Sequence, residues 1–227
     1  MLEKTPLGVQ IEDALKQEIL SGHLLPGQRI DLEQYASDWG VSSTPIRDAL
    51  TRLEKIGFVK IVPRRGVYVA QIDQHTFKEI FDVRIALECM ATELATPLIP
   101  NEEVERVRTS YLEAEQHARD SGDRSLLVET DYNVHEMVLS HCGNQKLIEI
   151  MQDLRDMIDW TRQVTVTHVP KSYERTLPEH VSIVEAIRAR DVERAVRAMR
   201  HHLTNSYERT RTYWTTSATR DDNGTAL

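Results

Sequence analysis

Residues 32–70 read "LEQYASDWGVSSTPIRDALTRLEKIGFVKIVPRRGVYVA". Leu32, Tyr35, Ala36 and Trp39 fall on one face of a helix, and Gly40 stops it. Three residues on, a second helix starts. Ser43 or Thr44 is placed to cap it, and Pro45 suits its first position. Ile46, Ala49, Leu50, Leu53 and Ile56 form its apolar stripe, and Gly57 ends it. Two β-branched and aromatic runs then flank a turn around Pro63 and Gly66, which predicts a β-hairpin. Upstream, Leu7, Ile11, Leu15 and Ile19 recur every four residues before "SGHLLPGQRI" breaks the pattern. Residues 1–72 therefore read helix, helix, tight turn, helix, hairpin, a winged helix-turn-helix domain.

Charge placement agrees with a phosphate-binding surface. The chain carries a formal charge of −8, but residues 1–72 hold nine Lys/Arg and nine Asp/Glu. Residues 42–66 hold six basic and two acidic residues. A basic patch thus sits on an acidic body, and the patch is what meets a nucleic acid backbone. Ser42, Ser43, Thr44 and Arg47 stand where a recognition helix enters a major groove. Arg64 and Arg65 at the hairpin tip reach toward phosphate or the minor groove. The plainer reading, a helical domain with a solvated basic surface, explains neither the turn length nor the order of elements.

The remainder reads as helices near 74–96, 101–120, 124–141, 144–165, 177–189 and 191–213. "THVPKSYERTLP" is the longest break among them, and Asp191 caps the last. The polar residues 216–227 read as a disordered tail, which leaves a second, all-α domain over 73–215. The expected fold is mainly α, a winged helix-turn-helix followed by an antiparallel helical bundle. At 227 residues, 40% hydrophobic and 28% charged, the chain has a globular balance. No apolar run reaches the ~18 residues of a membrane span. "MLEKTPLGVQIED" lacks an apolar signal core, and Cys89 and Cys142 are isolated, so the cytoplasm is the expected compartment.

Within the helical part, "DYNVH" (131–135) places a carboxylate and an imidazole on a stripe shared with Leu127, Val134 and Val138. His180 shares a side with Val184 and Ile187, and His202 with Ala195, Ala198 and Met199. Four ionisable groups from three helices thus point inward. Burying them unpaired is costly, whereas convergence on one divalent ion removes much of that cost. A set of one Asp and three His suits Zn²⁺, Ni²⁺ or Mn²⁺ and leaves positions open for water or a bidentate carboxylate. Arg84 is a candidate for holding an effector carboxylate or for an ion pair with Glu88.

The stretch "GHLLPGQRIDLEQYASDWGVSSTPIRDALTRLEKIGFVKIVPRRGVYV" resembles the DNA-binding domain of the GntR family of bacterial transcription regulators along nearly its whole length. The helical remainder resembles the FCD ligand-binding domain of the FadR-type subfamily in its six-helix form. The resemblance implies a homodimer on a pseudo-palindromic double-stranded operator, a repressor released by a small metabolite. It also implies DNA contacts at Ser42, Ser43, Thr44, Arg47, Arg65 and Gly66. Relatives commonly carry Arg at the position of Ser43, so a different operator preference is expected there. The FCD metal pattern falls on Asp131, His135, His180 (in "PEHVSIVEAI") and His202 (in "MRHHL").

Three functions are consistent with these residues. The first is a DNA-binding regulator that answers a small organic acid at a metal site. In the second, the metal itself is the signal. The third is a helical-bundle metal hydrolase, for which the sequence offers neither an HExxH motif nor an obvious carboxylate base beyond Asp131.

Overall fold

The computed structural model describes residues 6–70, 74–123, 125–168 and 172–221, with the side chains of 163–168, 172–173 and 212–221 left aside. The chain divides into two compact units, residues 1–73 and 74–227.

The first unit contains α1 (Leu7–Leu20), β1 (Arg29–Ile30), α2 (Leu32–Trp39), α3 (Ser43–Lys55), β2 (Val59–Val62) and β3 (Gly66–Val69). Ile11, Leu15 and Ile19 of α1 pack with Ile46, Ala49, Leu50 and Leu53 of α3, all buried. Burying each of the larger side chains contributes roughly 1.5–3 kcal/mol. Arg52 ties the same two helices together, donating to Glu12 at 2.5 Å and to the Gly8 carbonyl at 2.7 Å. Asp31 caps α2 by accepting from the N–H groups of Glu33 and Gln34. Gly40 ends it at φ +64, the left-handed conformation in which glycine costs least. The expected hairpin forms with Val59 opposite Val69 and Val62 opposite Gly66. It gains an unforeseen third strand: Arg29 and Ile30 pair with Tyr68 and Val67, in the order β1-β3-β2. A two-residue strand has too little alternation to be seen in sequence.

Among the described residues, the regular structure of the second unit is helical: α4 (Gln74–Ala95), α5 (Asn101–Ser121), α6 (Ser125–Thr130), α7 (Asn133–His141), α8 (Gln145–His168), α9 (Ser172–Arg188) and α10 (Val192–Asp221). Its core joins Ala91, Val107, Tyr111, Val134, Met137, Val138, Ile183, Ile187, Met199 and Leu203. Three boundaries differ from the periodicity. The helix expected over 124–141 is split at Asp131–Tyr132. Tyr111 stands at the split: its hydroxyl accepts the N–H of Val134 at 3.0 Å, a donor that an unbroken helix would direct to the Thr130 carbonyl. α9 begins at Ser172 and runs through Pro178, which reads in sequence as a breaker. α10 continues to Asp221, so residues 216–221 of the expected tail are helical backbone, and 222–227 lie outside the described residues.

Candidate functional site

Two groups of candidate residues lie in the two units. In the first unit, Ser42, Ser43, Thr44 and Arg47 are all exposed at the start of α3. Neither Ser43 nor Thr44 is the cap. Ser42 holds the N-cap position at φ −72, ψ 161, and its hydroxyl makes no capping bond. The N-terminal N–H groups of α3 and three hydroxyls therefore stand open to an anion or a base edge. At the other feature, Arg64 and Arg65 are exposed in the loop between β2 and β3. Arg64 sits at φ +64, a left-handed conformation unusual for an arginine. Gly66, at φ +122, passes close to Arg29, where a Cβ would lie 3.1 Å from Nε.

In the second unit, α7, α9 and α10 bring His135, His180 and His202 together, each at most 3% exposed. The Nε2 of His180 lies 3.3 Å from that of His135 and 3.2 Å from that of His202. Zinc–nitrogen bonds of ~2.05 Å at a tetrahedral angle would separate ligand nitrogens by roughly 3.3 Å. The carboxylates beside two of the rings govern where their protons sit. His135 Nδ1 donates to Glu88, and His202 Nδ1 donates to Glu179 at 3.0 Å. Both Nε2 atoms therefore present lone pairs to His180, which can donate to only one of them. His180 Nδ1 is buried without a hydrogen bond. Facing lone pairs suit a cation between the rings better than they suit a self-contained hydrogen-bond network.

The charge states agree. Burial, with the neighbouring rings of His202 and His135, holds His180 well below the ordinary imidazole range. Burial brings His202 down to about 4, against the opposing bond to Glu179. Neutral imidazoles are the form that binds metal. Burial alone would raise Glu88, but Arg84 and His135 outweigh it and hold the carboxyl below its usual range. Glu179 would likewise rise with burial, yet hydrogen bonds from His202, Arg209 and Asn205 bring it to about 2.

Asp131 is beside this cluster rather than in it. Its Oδ1 lies 4.0 Å from His180 Nδ1, and its Oδ2 accepts from Arg162 at 2.9 Å. The helix break moves it off the stripe that spacing assigned to it. Arg84 is 5% exposed and donates from Nε to Glu88 at 2.5 Å, so the ion pair is made. Arg155 and Arg162 lie 5.6 and 5.7 Å from the ring centre of Tyr132, which stands in the break beside His135. A cavity of about 150 Å³ opens there between α7 and α8, lined by Tyr132, Leu139, Ile148, Met151 and Arg155. Sequence reasoning named Glu88 only as a partner of Arg84 and missed Glu179 and Tyr132. Glu179 directly precedes His180, and the pairing with His202 comes from tertiary packing.

The family model described as "Bacterial regulatory proteins, gntR family" matches residues 7–69, and that of the FCD domain matches residues 79–205. The chain is 28% identical over 204 residues to the HTH-type transcriptional regulator YdhC of Bacillus subtilis (strain 168), covering 90% of this chain and 91% of that protein. It is 26% identical over 198 residues to the HTH-type transcriptional repressor RspR of Escherichia coli (strain K12), covering 87% and 86%. The solved structure of E. coli McbR/YncC superposes with a TM-score of 0.70 at 21% identity, over 95% of this chain and all of that one. No described helix is long and apolar enough to cross a membrane. The chain belongs to the gntR family of bacterial regulatory proteins, with an FCD domain as its C-terminal part, and is a DNA-binding transcription regulator, not an enzyme.

Proposed function

We propose that this regulator represses transcription from a pseudo-palindromic operator and is released by a small organic acid bound beside a divalent ion in the FCD domain. Convergence of three buried Nε2 atoms, two with lone pairs facing the third ring, carries the reading. His135, His180 and His202 would hold the ion, and Asp131, which stands beside them on Arg162, would turn in as the fourth protein ligand. Three imidazoles favour Zn²⁺ or Ni²⁺ over Mn²⁺. When bound, the ion supplies open coordination positions for a carboxylate effector.

The surroundings suit an anion. Arg84, Arg155 and Arg162 lie close to Tyr132 and the histidines. Arg84 is the candidate to meet the effector carboxylate through its Nη edge, since its Nε is committed to Glu88. In the other domain, Ser42, Ser43, Thr44 and Arg47 would face the major groove. Arg65 and Gly66 would follow the backbone at the hairpin tip. A two-fold operator calls for two copies of the chain. The exposed stripe Val83, Met90 and Leu94 on α4 supports a homodimer. The effector acts through its differential affinity for the DNA-binding and released arrangements.

The test combines metal analysis with an operator shift. The chain should carry one zinc or nickel ion per protomer, and a panel of small di- and hydroxycarboxylates should contain one that releases operator DNA. An effector-free response to added metal would favour metal as the signal. Duplex operator binding that ignores both would reject the sensory reading and leave the DNA-binding one.

A further inference from the structure

Three imidazoles converge on one point only if their rings are turned the right way and their protons are kept outside. An imidazole can carry its proton on either nitrogen, and only the bare nitrogen ligates. Two of the three rings in this cluster carry a device that settles the matter. His135 Nδ1 meets Glu88 Oε2, and His202 Nδ1 meets Glu179 Oε2. A carboxylate only accepts, so each Nδ1 holds a proton, and in the neutral ring each Nε2 is left bare.

The carboxylates are themselves fixed from outside. Arg84 donates to Glu88 Oε1 at 2.5 Å. Arg209 grips both oxygens of Glu179, at 2.7 and 2.9 Å, and Asn205 adds a bond at 2.8 Å. Each glutamate thus keeps its charge in a buried site without taking the imidazole proton. His180 has no such partner. Its Nδ1 makes no hydrogen bond, and the Asp131 Oδ1 stands 4.0 Å away.

We infer that Glu88 and Glu179 are positioning residues that fix His135 and His202 as Nδ1–H tautomers, aim both Nε2 lone pairs at one cation and set the affinity of the site for it. The inference rests on the metal reading of the cluster given above. A carboxylate behind a ligating imidazole also raises its basicity, and losing such a partner typically weakens metal binding ~10–100-fold. The two glutamates also bridge helices, Glu88 from α4 to α7 and Glu179 from α9 to α10. A purely structural role would show in folding stability and leave metal affinity alone.

Two measurements on the full chain separate these roles. The first needs no variant. Nitrogen-15 spectra of the metal-free protein should show His135 and His202 protonated at Nδ1 and bare at Nε2, and an Nε2–H form of either ring overturns the inference. The second is a Zn²⁺ competition titration of the unmodified chain, Glu88→Gln and Glu179→Gln. Glutamine keeps the size of the side chain and one acceptor but removes the charge. Both variants should bind zinc about 10–100-fold more weakly. Unchanged zinc affinity in the folded variants, with only a lowered melting temperature, overturns the positioning role alone. No zinc uptake by the unmodified chain overturns the metal reading, and the positioning role with it.

Discussion

Arg162 donates to Asp131 Oδ2 at 2.9 Å and to the Val128 carbonyl at 2.8 Å. The guanidinium thereby ties α8 to the end of α6 and holds the carboxylate at the edge of the histidine cluster. Asp131 is held by Arg162, whereas the Nε2 atoms of the three histidines face one another. Replacing His180 with Ala should therefore cost more zinc affinity than the ~10–100-fold that follows loss of a supporting partner, since one of three converging nitrogens is gone. Asp131→Asn should cost less, about 10-fold. Chelator competition on the three proteins orders the affinities, and an Asp131→Asn loss equal to that of His180→Ala would place Asp131 on a par with the histidines.

Metal removal should lower the stability of the FCD domain, because an ion that binds only the folded form stabilises it by mass action. At free zinc 100-fold above Kd the gain is about 2.7 kcal/mol. Thermal melts with and without a chelator should separate by several degrees, and the shift should vanish in His180→Ala. A chelator shift that persists in that variant would put the ion elsewhere.

Much of this was legible in the sequence because it rests on local rules. The α2–turn–α3 segment was set by Gly40, Pro45 and the Ile46/Leu50/Leu53 stripe, each of which acts within a few residues. The three histidines were legible because helical phase alone turns them inward. The place of Asp131 at the edge of the cluster is not legible from helical phase, because the helix is interrupted there and the Val134 N–H turns to the hydroxyl of Tyr111, 20 positions upstream of Asp131. Glu179 escaped for the same kind of reason. On a helical wheel it is an ordinary charged neighbour of His180, and only the packing of α9 on α10 brings it to His202 and Arg209.

The α3 terminus gives a specificity prediction. Ser43 is exposed at the first turn, where an arginine could reach a guanine edge with two hydrogen bonds. Ser43→Arg should shift the preferred operator toward guanine at one position in each half-site, with discrimination of about 1–3 kcal/mol. Arg47→Ala should instead weaken binding. Selection from a randomised operator pool, run with both proteins, reads the two effects separately. An unchanged base preference in Ser43→Arg would mean that this turn does not face base edges.

The hairpin tip makes the last prediction, and its sign separates stability from binding. Pro63 and Arg64 are the central residues of a turn closed by the Arg65 N–H on the Val62 carbonyl at 3.0 Å. The second central position of such a turn needs positive φ and favours glycine. Arg64 occupies it at φ +64, where an L-residue carries roughly 1–2 kcal/mol of backbone cost. A strained, exposed arginine beside Arg65 is what a DNA-contacting wing would retain at the expense of stability. Arg64→Gly should relieve the strain, partly offset by the greater freedom of glycine in the unfolded chain, for a net gain of up to about 1 kcal/mol. The same change removes one positive charge from the hairpin tip, which on the proposed reading faces phosphate. Operator affinity should fall across all sequences, and the slope of log K against log salt should become shallower by about one. Denaturation of the purified variant gives the first quantity and a salt titration of operator binding the second. A more stable protein with an unchanged salt slope would take Arg64 off the DNA and leave the strain without a function.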